Sequence, residues 1–306
     1  MSERLSFGLG LFFLSLLAGW MLRRAKRFSD ARANRIIRFV SLWLSPVTSC
    51  LSFWRLQAYG PQLLILPVIG CLASFSTLLP AWWYARRTKL TPPQTGSFLT
   101  CAFFSNLGYF GAFLAFALLG EAAYGLCLAY LMYFTPAFYV WGFAVAKRYG
   151  TGVPTSAAAV QTAELRLPPI LGMAIGLVLA LARVPRPAFF EPINHALIPI
   201  STGLYLAAMG TRLSIRLPSR WLQAGLAMSA IKCVYTPLIG WLLCELFRVH
   251  GLMRQVVLLQ AVMPVAISPL MLSMVFGTDR SLANALLMFT TLLALPWLLI
   301  YLPLIY

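Results

Sequence analysis

The chain has 306 residues, of which 60% are apolar and only 10% charged, with a mean hydropathy of +0.82. A soluble domain carries roughly 25% charged residues, so this composition excludes a large water-exposed surface. The apolar share suffices for roughly nine or ten spans at ~20 residues each.

Ten apolar stretches bounded by charge, Pro or Gly predict ten membrane helices, at 5–22, 38–54, 61–85, 95–119, 122–146, 168–183, 192–211, 221–246, 252–276 and 281–304. The first is read as a retained helix rather than a cleaved signal. Its dense basic cluster follows the apolar run, whereas a signal peptide carries positive charge before it. The net charge of +17 is spread between apolar runs and not gathered on one face, which argues against a nucleic-acid partner and for the lipid bilayer. Loop by loop, the odd-numbered connections hold 17 of the 24 Lys and Arg, the opposite side six, and Lys232 lies within span eight. That asymmetry places the odd loops in the cytoplasm and both termini outside a bacterial-type cytoplasmic membrane. Trp20, Trp54, Trp82, Trp83 and Trp221 fall at span ends, where interfacial aromatics belong.

Five spans precede the loop at 148–167 and five follow it, so the second half enters the bilayer from the opposite side. The expected organisation is an all-α polytopic protein of two inverted five-helix repeats, 1–147 and 168–306, the plan of many secondary transporters. Gly120 after span four and Gly277 after span nine match at an offset of 157 residues. These two equivalent spans are also the most interrupted. Span four contains Ser105-Asn106-Leu107-Gly108-Tyr109-Phe110-Gly111, and span nine contains Gln260 followed by Pro264, Ser268 and Pro269. Proline removes a backbone donor and glycine loosens the helix. Freed backbone groups survive at membrane depth only against protein or a wet cavity. Broken helices four and nine therefore point either to a central solute site or to kinks that permit close packing.

On these residues the sequence resembles the auxin efflux carrier family. The resemblance runs from Gly19 before Arg23-Arg24, through Pro46, to Asn106-x-Gly108-Tyr109-x-Gly111 with Gly120, Lys232 with Pro237, and Met263-Pro264. It implies a fold similar to the bile acid/sodium symporters, with broken helices crossing near the membrane centre and one bundle moving against the other. It also implies substrates that are mainly organic anions, including auxin and small dicarboxylates. The chain departs from the family at Phe113, where many members have proline, at Ser268, where many have Asn, and at Leu131, Phe134 and Thr135, where span five often has an amide or acid. Phe113 predicts a gentler break in span four.

Lys232 is the one basic residue well inside a span, about 16 Å from Trp221 at 1.5 Å per residue. It is expected to hold a substrate carboxylate or to titrate, unless its stem snorkels to the interface. Asn106, Gln260 and Ser268 either bind solute or satisfy freed backbone groups; Tyr130, Tyr133 and Thr135 are candidate cavity lining. The acids, Glu121 and Glu245 among them, fall in loops or near span ends, with Arg248 a partner for Glu245. His195 and His250 are expected to be solvated in loops. Cys50, Cys71, Cys101, Cys127, Cys233 and Cys244 lie in apolar stretches without metal spacing. No phosphate-binding loop, catalytic set, metal site or cofactor is expected. The reading is a secondary transporter of a small organic anion by alternating access, with a homodimer one compatible assembly. An integral-membrane enzyme and a receptor or accessory subunit with the transporter fold are the rivals.

Overall fold

The computed structural model describes residues 2–26, 28–152, 167–211 and 218–305. Most of the connecting loop at 148–167 lies outside them, as do Arg27, Arg166, Arg212 and Arg216 of the charge count. The chain is 86% helical; the described residues contain no strand and one isolated β-bridge, so an all-α membrane protein is what the fold shows. In chain order the helices begin with α1 (Ser2–Arg24), α2 (Asp30–Phe39) and α3 (Ser45–Trp54). Next come α4 (Ile65–Ser76), α5 (Leu78–Arg87), α6 (Pro92–Phe103), α7 (Phe113–Leu119), α8 (Glu121–Tyr130), α9 (Phe134–Ala137) and α10 (Phe143–Tyr149). After the loop follow α11 (Leu167–Leu181), α12 (Phe190–Gly210), α13 (Leu222–Ala230) and α14 (Thr236–Leu246). The chain ends with α15 (Gly251–Ala261), α16 (Ser268–Phe276) and α17 (Arg280–Ile305).

Each of the ten apolar stretches is helical over most of its length. Among the described residues four helical runs, Ser6–Arg24, Ala31–Arg87, Glu121–Tyr149 and Ser219–Leu246, are long and apolar enough to cross a bilayer; Arg280–Ala294 with Pro296–Pro303, bent by 47°, makes a fifth if counted together. The long second run is not one rod, because Leu56 and Gly60 leave helical geometry between α3 and α4. Basic residues sit over tryptophans at several helix ends, Arg86 at 3.7 Å from the Trp82 ring and Arg24 at 5.3 Å from Trp20. Such pairs suit a headgroup region, where an aromatic body and a charged tip are both satisfied.

The chain packs as two compact units, each drawing on both halves of the sequence. Unit 1 comprises Met1–Leu63, Gly108–Ala129 and Val160–Leu213, and unit 2 comprises Leu64–Leu107, Tyr130–Ala159 and Ser214–Tyr306.

Unit 1 is held by backbones in close approach. On α11, Gly172 faces the backbone of Pro46 and Gly176 that of Cys50, so a Gly-x-x-x-Gly step packs directly on α3. The opposite face carries Leu171, Ile175 and Val178, all exposed. Small residues inward and branched residues outward invert the pattern of a soluble helix, and lipid is the solvent that permits it. The α1–α12 pair repeats the device, with Gly19 against the Ala207 carbonyl and Gly210 against that of Leu16. Gly176→Val is expected to cost at least about 1–3 kcal/mol from overpacking. Gly10, with no atom within 4 Å of an added Cβ, is the control: Gly10→Ala is expected to be neutral or to gain up to about 1 kcal/mol of helix propensity. Thermal unfolding of the two variants in the same detergent checks both.

Unit 2 packs α6 against α5, α10 and α17. Pro92 and Pro93 occupy the first turn of α6 after a Thr91–Gln94 capping box, where their missing N–H groups cost nothing. Phe103 stacks on Trp141 with centroids 4.3 Å apart, and Phe75, Phe104 and Phe138 complete an aromatic cluster beside the end of α6.

Candidate functional site

Both interrupted spans are broken outright. Helix α6 stops at Phe103, Phe104 is extended, and helical geometry resumes in the π-turn Leu107–Ala112 leading into α7. Helix α15 stops at Ala261, and α16 begins at Ser268. The expectation of a gentler break at span four is therefore corrected: a prolyl residue at Phe113 is not needed, because the chain already leaves the helix at Phe104. Pro264 lies in the gap itself, whereas Pro269 sits harmlessly in the first turn of α16.

Within unit 2 the two gaps pair with each other. Ser105 and Val265 form an antiparallel bridge. The Ala266 N–H donates to the Phe104 carbonyl (2.9 Å), and the Asn106 N–H donates to that of Pro264 (2.7 Å). The Val265 N–H donates to Thr290 Oγ1 at 3.1 Å. Backbone groups that hydrocarbon would leave unpaired are thus satisfied by the facing break, which is how irregular backbone persists at such depth.

Lys232 projects from a π-turn, Ile231–Tyr235, inside the α13–α14 span; single π-turns frequently aim functional side chains. It is 1% exposed. Its Nζ donates to the Ala102 carbonyl (2.5 Å) and to Ser105 Oγ (2.7 Å). Thr77 Oγ1 donates to the same carbonyl at 2.9 Å. The ammonium therefore caps the negative end of α6. Gln260, also 1% exposed, donates from Nε2 to the Leu107 carbonyl at 3.2 Å, while its buried Oε1 has no hydrogen-bond partner among the described residues. The Asn106 backbone is engaged in the bridge and its carboxamide is half-buried.

Asn106, Lys232, Gln260 and Pro264 thus gather around one bridge, with Ser268 and Pro269 opening the helix that leaves it. Gly108 and Gly111 lie in the π-turn after the first break and belong to unit 1. Tyr133 is spent on packing and on Ser74 Oγ, 2.5 Å from its hydroxyl, and with Tyr130 it closes on Gly70. Thr135 is half-buried in α9. Ser105 belongs to the interrupted stretch of span four without being singled out there as a ligand, and Thr77 and Thr290 escape a reading of the sequence. Ser76-Thr77 and Thr290-Thr291 are hydroxyl pairs inside apolar spans, a pattern that bonding back to the preceding helical turn already accounts for, so the two threonines give no specific signal.

Unit 1 holds a second polar cluster. Glu121, read from sequence as a loop or span-end acid, is 3% exposed at the start of α8. It accepts from Arg186 Nη1 (2.6 Å), Asn194 Nδ2 (2.5 Å) and Arg55 Nη1 (3.3 Å). Arg55 also reaches Glu191 at 2.9 Å and holds that carboxyl below the usual carboxylate range. His195 Nε2 lies 3.7 Å from Glu121, so this histidine is drawn toward the cluster rather than simply solvated. The carboxylates of Glu121 and Glu191 with His195 approach metal-ligand spacing, but two guanidiniums already neutralise the carboxylates. The adjoining cleft, about 210 Å³, is smaller than typical ligand pockets. This cluster is a clamp on α3, α8 and α12. Elsewhere Glu245 pairs with Arg254 at 2.8 Å, which corrects the expected Arg248 partner.

A family model described as membrane transport protein matches residues 9–148 and 153–302. No curated protein matches the chain.

Proposed function

Since the chain belongs to the auxin efflux carrier family of membrane transport proteins, we propose that it moves a small organic anion, a carboxylate, across a cytoplasmic membrane by alternating access. The observation that carries this reading is the pair of helix breaks joined at Ser105 and Val265. A half-helix N-terminus presents free N–H groups and partial positive charge, which suit a carboxylate. Ser268 opens α16 and the Leu107–Ala112 turn opens the second half of span four, so both starts adjoin the bridge in sequence. Asn106 supplies a carboxamide with no hydrogen-bond partner among the described residues, and Lys232 supplies the positive charge behind it. Gly120 and Gly277, matched at the offset of 157, both adopt positive φ and end the second half of an interrupted span (89° and 73°). That matched position supports ten spans in two inverted repeats at 1–147 and 168–306, and the Lys and Arg asymmetry supports odd loops in the cytoplasm and both termini outside.

Counterflow in proteoliposomes tests the reading, with radiolabelled auxin and radiolabelled succinate as probes. Uptake against preloaded unlabelled carboxylate, abolished by Pro264→Leu, is expected. Binding of a carboxylate without counterflow would instead establish a receptor on the transporter fold.

A further inference from the structure

A helix that stops in mid-membrane leaves its last carbonyls with partial negative charge and no water to meet them. At such ends a carrier commonly places its coupling cation, held by neutral carbonyl and hydroxyl oxygens. The end of α6 has that oxygen set in the Ala102 carbonyl and Ser105 Oγ, with Thr77 Oγ1 supporting the same carbonyl. What it holds is the ammonium of Lys232, fully buried and paired with no carboxylate among the described residues. A buried charge without an ionic partner is expensive, and the oxygens around it are those that would coordinate a monovalent metal ion. The end of α15 differs. There a neutral donor serves, the Met263 N–H on the Gln260 carbonyl.

We infer that the Lys232 ammonium is a built-in cation, occupying the place a sodium ion would take at the end of α6, so that the solute anion is compensated by the protein itself and transport is independent of sodium. This rests on the transporter reading above. Lys232 is then a positioning residue: it fixes Ala102 and Ser105, and through Ser105 the bridge to Val265, while the solute meets other groups.

The test compares the wild type, Lys232→Ala and Lys232→Met in sodium chloride and in choline chloride at equal ionic strength. Thermal unfolding and carboxylate counterflow are read for each. The wild type is expected to give the same values in both salts. Lys232→Ala, which leaves room for an ion, is expected to lose counterflow at least ~10-fold in choline and to regain much of it in sodium, with its Tm rising ~2–4 °C on the exchange. Lys232→Met fills the same space without charge and is expected to stay insensitive. A sodium requirement in the wild type overturns the inference, as does a Lys232→Ala protein that ignores sodium or cannot be recovered folded in it. The Tm arm needs no transport. A sodium response of Lys232→Ala beside a wild type that moves no carboxylate would sink the transporter reading and leave the cation assignment standing. Carboxylate counterflow by the wild type with a sodium-blind Lys232→Ala would do the reverse.

Discussion

Replacing Glu121 by alanine is expected to destabilise the protein by about 3–5 kcal/mol, the usual cost of removing one partner from a buried ion pair. The size follows from what would be stranded. The Arg186 side chain is 9% exposed and spends Nη1 on Glu121 and on the Leu51 carbonyl. Asn194 is fully buried and divides its amide between Glu121 and Ser52. Without the carboxylate, the Arg186 guanidinium keeps only the Leu51 carbonyl and no paired counter-charge, and the Asn194 amide keeps only Ser52, in a place water scarcely reaches. Thermal unfolding in detergent measures the loss. The pair need not be a net stabiliser, however. Glu121→Leu combined with Arg186→Met, which removes both charges, is expected to recover more than half of the lost stability. A loss below about 1 kcal/mol for Glu121→Ala would mean that water screens the cluster and that it does not clamp α3 to α8 and α12.

Asn106→Ala is expected to weaken carboxylate binding by about 10–100-fold, the range for one hydrogen bond to a charged group, and to leave the melting temperature nearly unchanged. The separation arises because this residue uses its backbone and its side chain for different tasks. The N–H holds the Pro264 carbonyl, and alanine keeps that bond. Asn106→Asp is expected to abolish binding altogether, because it sets like charge against the solute. Equilibrium binding of radiolabelled carboxylate to the purified variants, beside their melting curves, reads both quantities. Unchanged affinity in Asn106→Ala would place the solute away from the break.

Much of the site is legible along the chain itself. Gly, Pro and amide residues inside otherwise apolar spans are conspicuous because lipid punishes them, so Asn106, Gln260 and Pro264 declare themselves, as does Lys232. The direction of the Lys232 side chain does not. Its depth follows from counting residues along a helix, but its partners Ala102 and Ser105 lie 130 and 127 positions away in sequence. Glu121 misleads for a similar reason. An acid beside a glycine at a span end reads as a loop residue, and only the convergence of Arg55, Arg186 and Asn194 makes its burial tolerable. The glycines of α11 escape notice because a short apolar helix rich in glycine looks merely permissive until Pro46 and Cys50 are found against it.

Composition and local pattern alone determined that this is a helical membrane protein, where its helices run and where two of them fail. Those properties depend on each residue's own exchange between water and lipid, and on hydrogen bonds no more than a turn away. Which break pairs with which, what the buried ammonium touches and which acid is clamped rest on contacts between segments that lie far apart in sequence, many of them more than a hundred residues. Pairings of that kind leave no periodicity along the chain, and the tertiary structure alone decided them.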